Sequence, residues 1–158
     1  MDIANNNGST PLNTAATAGH VEVVQELMKH GANVKIANND GFTPLNTAAS
    51  KGHEDVVREL LNHGASVDSL NRKGSTPLFT AAFGGHVDAV RELLKHGANV
   101  SISDTNGWTT LNAAAQNGHE EIIRELLNHG ACVRNCQRRH RHHRTPGQSG
   151  DQSDQRAG

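Results

Sequence analysis

The chain is predicted to fold as an all-α solenoid of antiparallel helix pairs joined by β-hairpin-like arms. Three observations predict it. A 33-residue unit recurs four times without insertion or deletion, starting at Gly8, Gly41, Gly74 and Gly107. The second and third units agree at 19 of 33 positions, so the period is not accidental. Inside each unit, two short apolar stripes at helical spacing are each closed by glycine. A fixed period of this size marks stacked supersecondary units, none of which can bury its apolar face alone.

The second unit shows the order of elements. Thr43-Pro44 signals a helix start: threonine can cap, and proline suits the first helical position, where its missing N–H costs nothing. Leu45, Ala48 and Ala49 then fall at i, i+3 and i+4 and form a stripe of mostly small residues. Gly52 ends this helix by accepting a left-handed backbone. His53 opens the link to a second helix, whose core stripe is Val56, Val57, Leu60 and Leu61, with Arg58, Glu59 and Asn62 facing water. Gly64 stops it. The polar stretch to Lys73 reads as an extended arm with a hairpin-like tip. Turns are expected near Asn39–Gly41, Lys73–Gly74 and Asn106–Gly107. Each helix has about ten residues or fewer, short of the roughly 12–15 needed for marginal stability alone, so stacking must supply the rest.

The run Gly41-x-Thr43-Pro44-Leu45-x-x-Ala48-Ala49-x-x-Gly52-His53, closed by Gly64-Ala65, resembles the ankyrin repeat in period, signature and register. The resemblance covers residues 1 to about 137. It implies an L-shaped section per repeat and a protein-binding role without chemistry. The sequence departs from the family pattern in two places. The usual histidine after Thr-Pro-Leu is Asn13, Asn46, Phe79 and Asn112, of which asparagine can keep part of the local hydrogen bonding and Phe79 cannot. Thr110 stands where proline is expected.

These registers divide the chain. Residues 1–7 read as a partial arm of a preceding repeat, because Ile3-Ala4-Asn5-Asn6 matches Ile36-Ala37-Asn38-Asn39. Residues 8–40, 41–73, 74–106 and 107–139 are repeats, and 140–158 form a basic, polar tail expected to be disordered for want of apolar residues. Both ends suggest a piece of a longer array or a misplaced gene boundary. The net charge of −1 hides an asymmetry. Residues 1–133 carry 9 Lys and Arg against 14 Asp and Glu, a net of −5, while 134–158 carry 6 Arg against 2 Asp, a net of +4.

Only 34% of residues are hydrophobic and 3% aromatic, thin for one globular core but sufficient for a stack that uses alanine at its interfaces. No stretch approaches the roughly 18 apolar residues of a membrane span. The first residues lack the basic and apolar regions of a signal peptide. Two late cysteines make no disulfide framework. A reduced, cytoplasmic setting is the default, with the nucleus also open.

Eight of the 11 histidines are repeat positions: His20, His53, His86 and His119 after the first helix, and His30, His63, His96 and His129 after the second. Stacked helices lie roughly 8–10 Å apart, too far for equivalent rings to share an ion at Zn–N bonds of about 2.0–2.1 Å. They read as structural. Cys132, Cys136, His140, His142 and His143 fit no common zinc spacing, so no metal site and no cofactor is expected. The Arg138–Arg144 run reads as a solvated charge run rather than a nucleic-acid site, since no aromatics interleave it for base stacking. There is no phosphate loop, nucleophile motif or catalytic carboxylate pair, which argues against an enzyme.

The information lies in positions that break the repeat. Phe42 and Trp108 follow the glycine at a hairpin tip, where the other units have Ser9 and Ser75. Phe83 follows an alanine pair, where the others have Thr17, Ser50 and Gln116. By the resemblance, both positions face the concave groove used for partners, and aromatics are enriched among binding hot spots. The alternative is that the rings only pack locally. Phe79 reads as more enclosed and structural. The expected contact surface is Asn39, Asp40, Phe42, Ser50, Lys51, Arg72, Lys73, Phe83, Thr105, Asn106, Trp108, Gln116 and Asn117. The expectation is a monomeric, non-enzymatic scaffold or adaptor with a protein partner. The alternative is a regulatory or targeting segment of a larger enzyme, ligase-adaptor or channel.

Overall fold

The computed structural model describes residues 2–133. The tail at 140–158, with Cys136, His140, His142 and His143, lies outside the described residues, as does the Arg138–Arg144 run. Among the described residues eight helices form four pairs: α1 (Pro11–Ala18) with α2 (Val21–Lys29), α3 (Pro44–Lys51) with α4 (Glu54–Asn62), α5 (Pro77–Phe83) with α6 (Val87–Lys95), and α7 (Thr110–Gln116) with α8 (Glu120–Asn128). The first helices stack in one layer, α1 on α3 on α5 on α7, and the second helices stack in another. Among the described residues no helix is long and apolar enough to cross a membrane.

Each first helix starts as its threonine dictates. The Oγ1 atoms of Thr10, Thr43, Thr76 and Thr109 accept the N–H three residues on, at 3.0–3.2 Å. Asn46 and Asn112 complete the box: their Oδ1 atoms accept the N–H of Thr43 and Thr109 at 3.1 and 2.9 Å. Asparagine thus replaces the family's histidine with a working cap. Asn13 does so less well: its Nδ2 donates to the Ile36 carbonyl, as that of Asn46 does to Ser69, but its buried Oδ1 has no partner among the described residues. Thr110 in place of proline still begins α7, but its buried Oγ1 is likewise unpartnered.

The core is thin and continuous. Leu12, Leu45, Leu78, Leu60 and Leu93 are at most 1% exposed, and Ala16, Ala49 and Ala82 are wholly buried where the first helices touch. Each fully buried leucine contributes roughly 1.5–3 kcal/mol. The His53, His86 and His119 rings tie successive repeats together. Their Nε2–H groups donate to the carbonyls of Thr17, Ser50 and Phe83 at the end of the preceding first helix, at 3.0, 3.0 and 3.3 Å. Gly19 has φ +78°, and a Cβ there would lie 2.7 Å from the His53 Nδ1, so glycine serves both as helix stop and as clearance for the ring. The second histidine set caps the second helices: Nδ1–H of His30, His63, His96 and His129 donates to the carbonyl four residues back at 2.9–3.0 Å.

The outer layer differs from the sequence expectation in one respect. Arg58 does not merely face water. It joins α4 to α6 through Glu92, with Nε donating to Oε2 at 3.1 Å, and also pairs with Asp55 and Glu54. Arg91 repeats the device with Glu125 at 3.0 Å. Glu92 is only 4% exposed. Burial alone would raise its carboxyl, but hydrogen bonds from Arg58 and Lys95 hold it below the ordinary value. A depressed carboxyl stabilises the fold above the unfolded-state pKa of about 4.3, and that contribution is lost as pH falls through the lower folded-state pKa. Glu92→Gln is therefore expected to cost on the order of 1–2 kcal/mol at neutral pH. The difference in melting temperature from the natural chain should shrink on acidification below about pH 4. A difference independent of pH would show that the ionised pair adds nothing.

Candidate protein-binding groove

The arms are positioned by an Asn or Asp recurring at 33-residue spacing: Asn5, Asn38, Asn71 and Asp104. At each tip the carbonyl of this residue accepts the N–H of the glycine three residues on, at 2.9–3.0 Å. Its side-chain Oδ1 accepts two more backbone N–H groups, as Asn38 does from Asp40 at 2.9 Å and Phe42 at 3.0 Å. Asp104 does the same for Asn106 and Trp108, both at 2.9 Å. A short polar side chain that folds back on its own loop is the usual chemistry of such turns. Among the described residues regular strands do not form, and the only strand-type pairing is an isolated bridge between Ser103 and Thr109.

Successive tips are stitched by their backbones. The N–H groups of Asn39, Arg72 and Thr105 donate to the carbonyls of Asn7, Asp40 and Lys73 at 2.9, 3.1 and 3.0 Å. The residue after each tip glycine is therefore held in a fixed direction, and Phe42 and Trp108 are aimed by turn geometry rather than by core packing.

Phe42 and Trp108, from the arms, and Phe83, from the end of α5, line one open groove of about 600 Å³ with Ser50, Lys73, Asn106 and Gln116. Phe83 is 51% exposed and Trp108 39%. The equivalents of Phe83 behave differently: Thr17 and Ser50 turn their hydroxyls back onto carbonyls of their own helices, at 2.8 and 2.9 Å. Phe79 is more enclosed than Phe83, as the sequence reading expects. It is half-buried, lines the same groove, and stacks on Phe83 one helical turn away, with centroids 6.5 Å apart and planes at 12°. The missing signal was its spacing: i, i+4 on one helix face puts two rings side by side.

The other expected contact residues do not line the groove. Asn39, Asp40, Arg72 and Thr105 supply the backbone stitching described above. Asn39 Nδ2 also donates to the Asn6 carbonyl at 3.2 Å. Asn117 Nδ2 donates to the Phe83 carbonyl at 2.9 Å and so supports the groove floor. Lys51 lies exposed at the end of α3. Residues missed from the sequence are Ser75, Phe79, Thr80, Gly84, Asn71 and Asp104, all of which line the groove. The last two were legible as an Asx column at the repeat period.

Charge divides by face. The second helices carry ten acids against five bases, Lys29, Arg58, Arg91, Lys95 and Arg124, whereas the only charged residue on the four first helices is Lys51. Lys51, Arg72 and Lys73 make no ion pair among the described residues.

Aligned tips, capped helix pairs and the histidine ties define a class, the stacked helix-pair interaction module. A family model of ankyrin repeats, spanning three copies, matches residues 1–71 and again 64–136. The chain belongs to the ankyrin repeat family, whose members are general protein–protein interaction modules, typically without catalysis. No curated protein matches the chain.

Proposed function

We infer that this protein is a non-enzymatic scaffold or adaptor that holds a protein partner in the groove between its arms and first helices. The observation that carries this reading is the convergence of Phe42, Phe79, Phe83 and Trp108 on one open surface. Stacking does not require large rings there, since Ser9, Ser75, Thr17 and Ser50 serve at equivalent positions. The aromatics provide apolar anchors, and the stitched backbone keeps the ordering cost of binding low. The exposed side chains of Lys51, Arg72 and Lys73 make no ion pair among the described residues, and Lys73 borders the groove, so the fitting partner segment presents an apolar side chain beside an acidic one.

The test is affinity capture from a lysate with the full chain as bait, read by quantitative mass spectrometry, against Phe83→Ala as matched bait. A partner retained by the natural chain and depleted on Phe83→Ala is expected. Capture unaffected by Phe83→Ala, with the fold intact, would move the binding site off this groove.

A further inference from the structure

The third repeat departs from its neighbours at the groove, and its departures fit together. Its first helix carries Phe79 and Phe83, where the flanking repeats have Asn46 and Ser50 on one side and Asn112 and Gln116 on the other. Its arm carries Ser75, where the flanking arms carry Phe42 and Trp108. Bulk therefore lies on the helix of this repeat and on the arms to either side. Ser75 is only 6% exposed, so the arm between Phe42 and Trp108 adds no bulk above the nearly parallel rings of Phe79 and Phe83.

Gly84 lines the same space. Its equivalents are Ala18, Lys51 and Asn117. The backbone does not ask for glycine there. Gly84 has φ −81°, open to any residue, and the left-handed stop after α5 is Gly85 at +78°. A Cβ on Gly84 would crowd the His86 ring, with Nε2 2.6 Å away. The equivalent Asn117 carries a side chain beside His119, and that ring still donates to the Phe83 carbonyl at 3.3 Å. The histidine tie therefore tolerates a side chain, and its absence at Gly84 leaves the end of α5 open beside Phe83.

The polar groups at the edge suit an extended peptide. The side-chain amides of Asn106 and Gln116 line the groove and make no hydrogen bond among the described residues. Each offers a donor and an acceptor to a passing main chain. Lys73 is exposed at the border without an ion pair, while the Oδ1 of Asp104 already accepts two backbone N–H groups.

The geometry points to the third repeat as a single-anchor site for a linear peptide segment. One aromatic side chain enters over Phe79 and Phe83, and an acidic residue within about three positions reaches Lys73, since three extended residues span roughly 10 Å, about one repeat spacing. A space of about 600 Å³ holds one large ring with its flanking backbone. Stacking on two rings favours an aromatic anchor over an aliphatic one. Gly84 keeps the entrance clear and so sets which side chains enter. This inference rests on the groove reading and names its ligand.

Selection of a displayed random peptide library on the full chain tests it. Enriched peptides should share one Phe, Tyr or Trp with an Asp or Glu within three positions. A synthetic copy should bind at least about tenfold more weakly to Gly84→Asn, which installs the residue of the fourth repeat. Selection on Lys73→Glu should keep the aromatic and exchange the acid for a base. Lys73→Glu changes only an exposed, unpaired side chain, so it decides the matter even if Gly84→Asn does not fold. No enrichment, or peptides without a shared ring, overturns the proposal. An unchanged acid preference on Lys73→Glu, or undiminished affinity for a folded Gly84→Asn, does the same. Phe83→Ala separates the two readings. Peptides that still bind it lie outside the groove and sink both, whereas peptides lost there but indifferent to Gly84 and Lys73 sink the anchor site alone.

Discussion

Leu60→Ala is expected to lower the unfolding free energy by about 2–5 kcal/mol, the range for deleting a large aliphatic side chain from a packed interior. Leu60 is wholly buried on α4, in the second of four repeats, where α4 packs on α3 and on both flanking second helices. Val56 and Val57, one turn away on the same helix, are short, branched and themselves buried, so they cannot fill the void. A native stability of 5–15 kcal/mol is usual for a domain, so the loss is a large share of the whole. Urea unfolding followed by circular dichroism measures it. The paired variant is Leu127→Ala, the same residue type on the last helix at 42% exposure, which should cost under about 1 kcal/mol. Equal losses at the two sites would mean that stacking does not supply the stability of this fold.

That contrast also shows why the fold was legible in the sequence. A solenoid writes the same local decisions several times. Thr43-Pro44 starts a helix for reasons internal to those two residues, and Gly52 ends it because its φ of +77° suits no other residue well. Repetition of both signals at fixed spacing left one architecture. Arg58 was less legible. Its neighbours in sequence are polar, and nothing local reveals that Glu92, 34 positions on, is buried beside it. Cross-repeat pairs become visible only once the stacking geometry is known.

The groove was legible in part. Phe42, Phe83 and Trp108 stand out because they interrupt the repeat, and the structure places them on one surface. Phe79 reads from the sequence as more enclosed and structural, and it is half-buried. Its stacking on Phe83 at the groove is what the sequence reading did not include. The backbones of Asn39, Asp40, Arg72 and Thr105 hydrogen-bond between arms while their side chains stay exposed, a pairing across repeats that no local sequence signal reveals.

The groove reading turns on whether the aromatic tips carry binding energy or only pack. The decisive measurement is a calorimetric titration of the captured partner against the natural chain and against Phe42→Ala combined with Trp108→Ala. Each ring is expected to contribute about 1–2 kcal/mol or more, so the double variant should bind on the order of thirtyfold to a thousandfold more weakly. Its melting temperature should stay close to that of the natural chain, because tip residues bury less than core leucines. Asn62→Ala with Asn128→Ala, exposed on the outer helices, should leave affinity unchanged. This pair is the better control than Arg58 and Arg91, which hold ion pairs between repeats. A double aromatic variant that folds and binds with undiminished affinity would contradict the groove assignment. One that unfolds would show that Phe42 and Trp108 are packing elements of the stack.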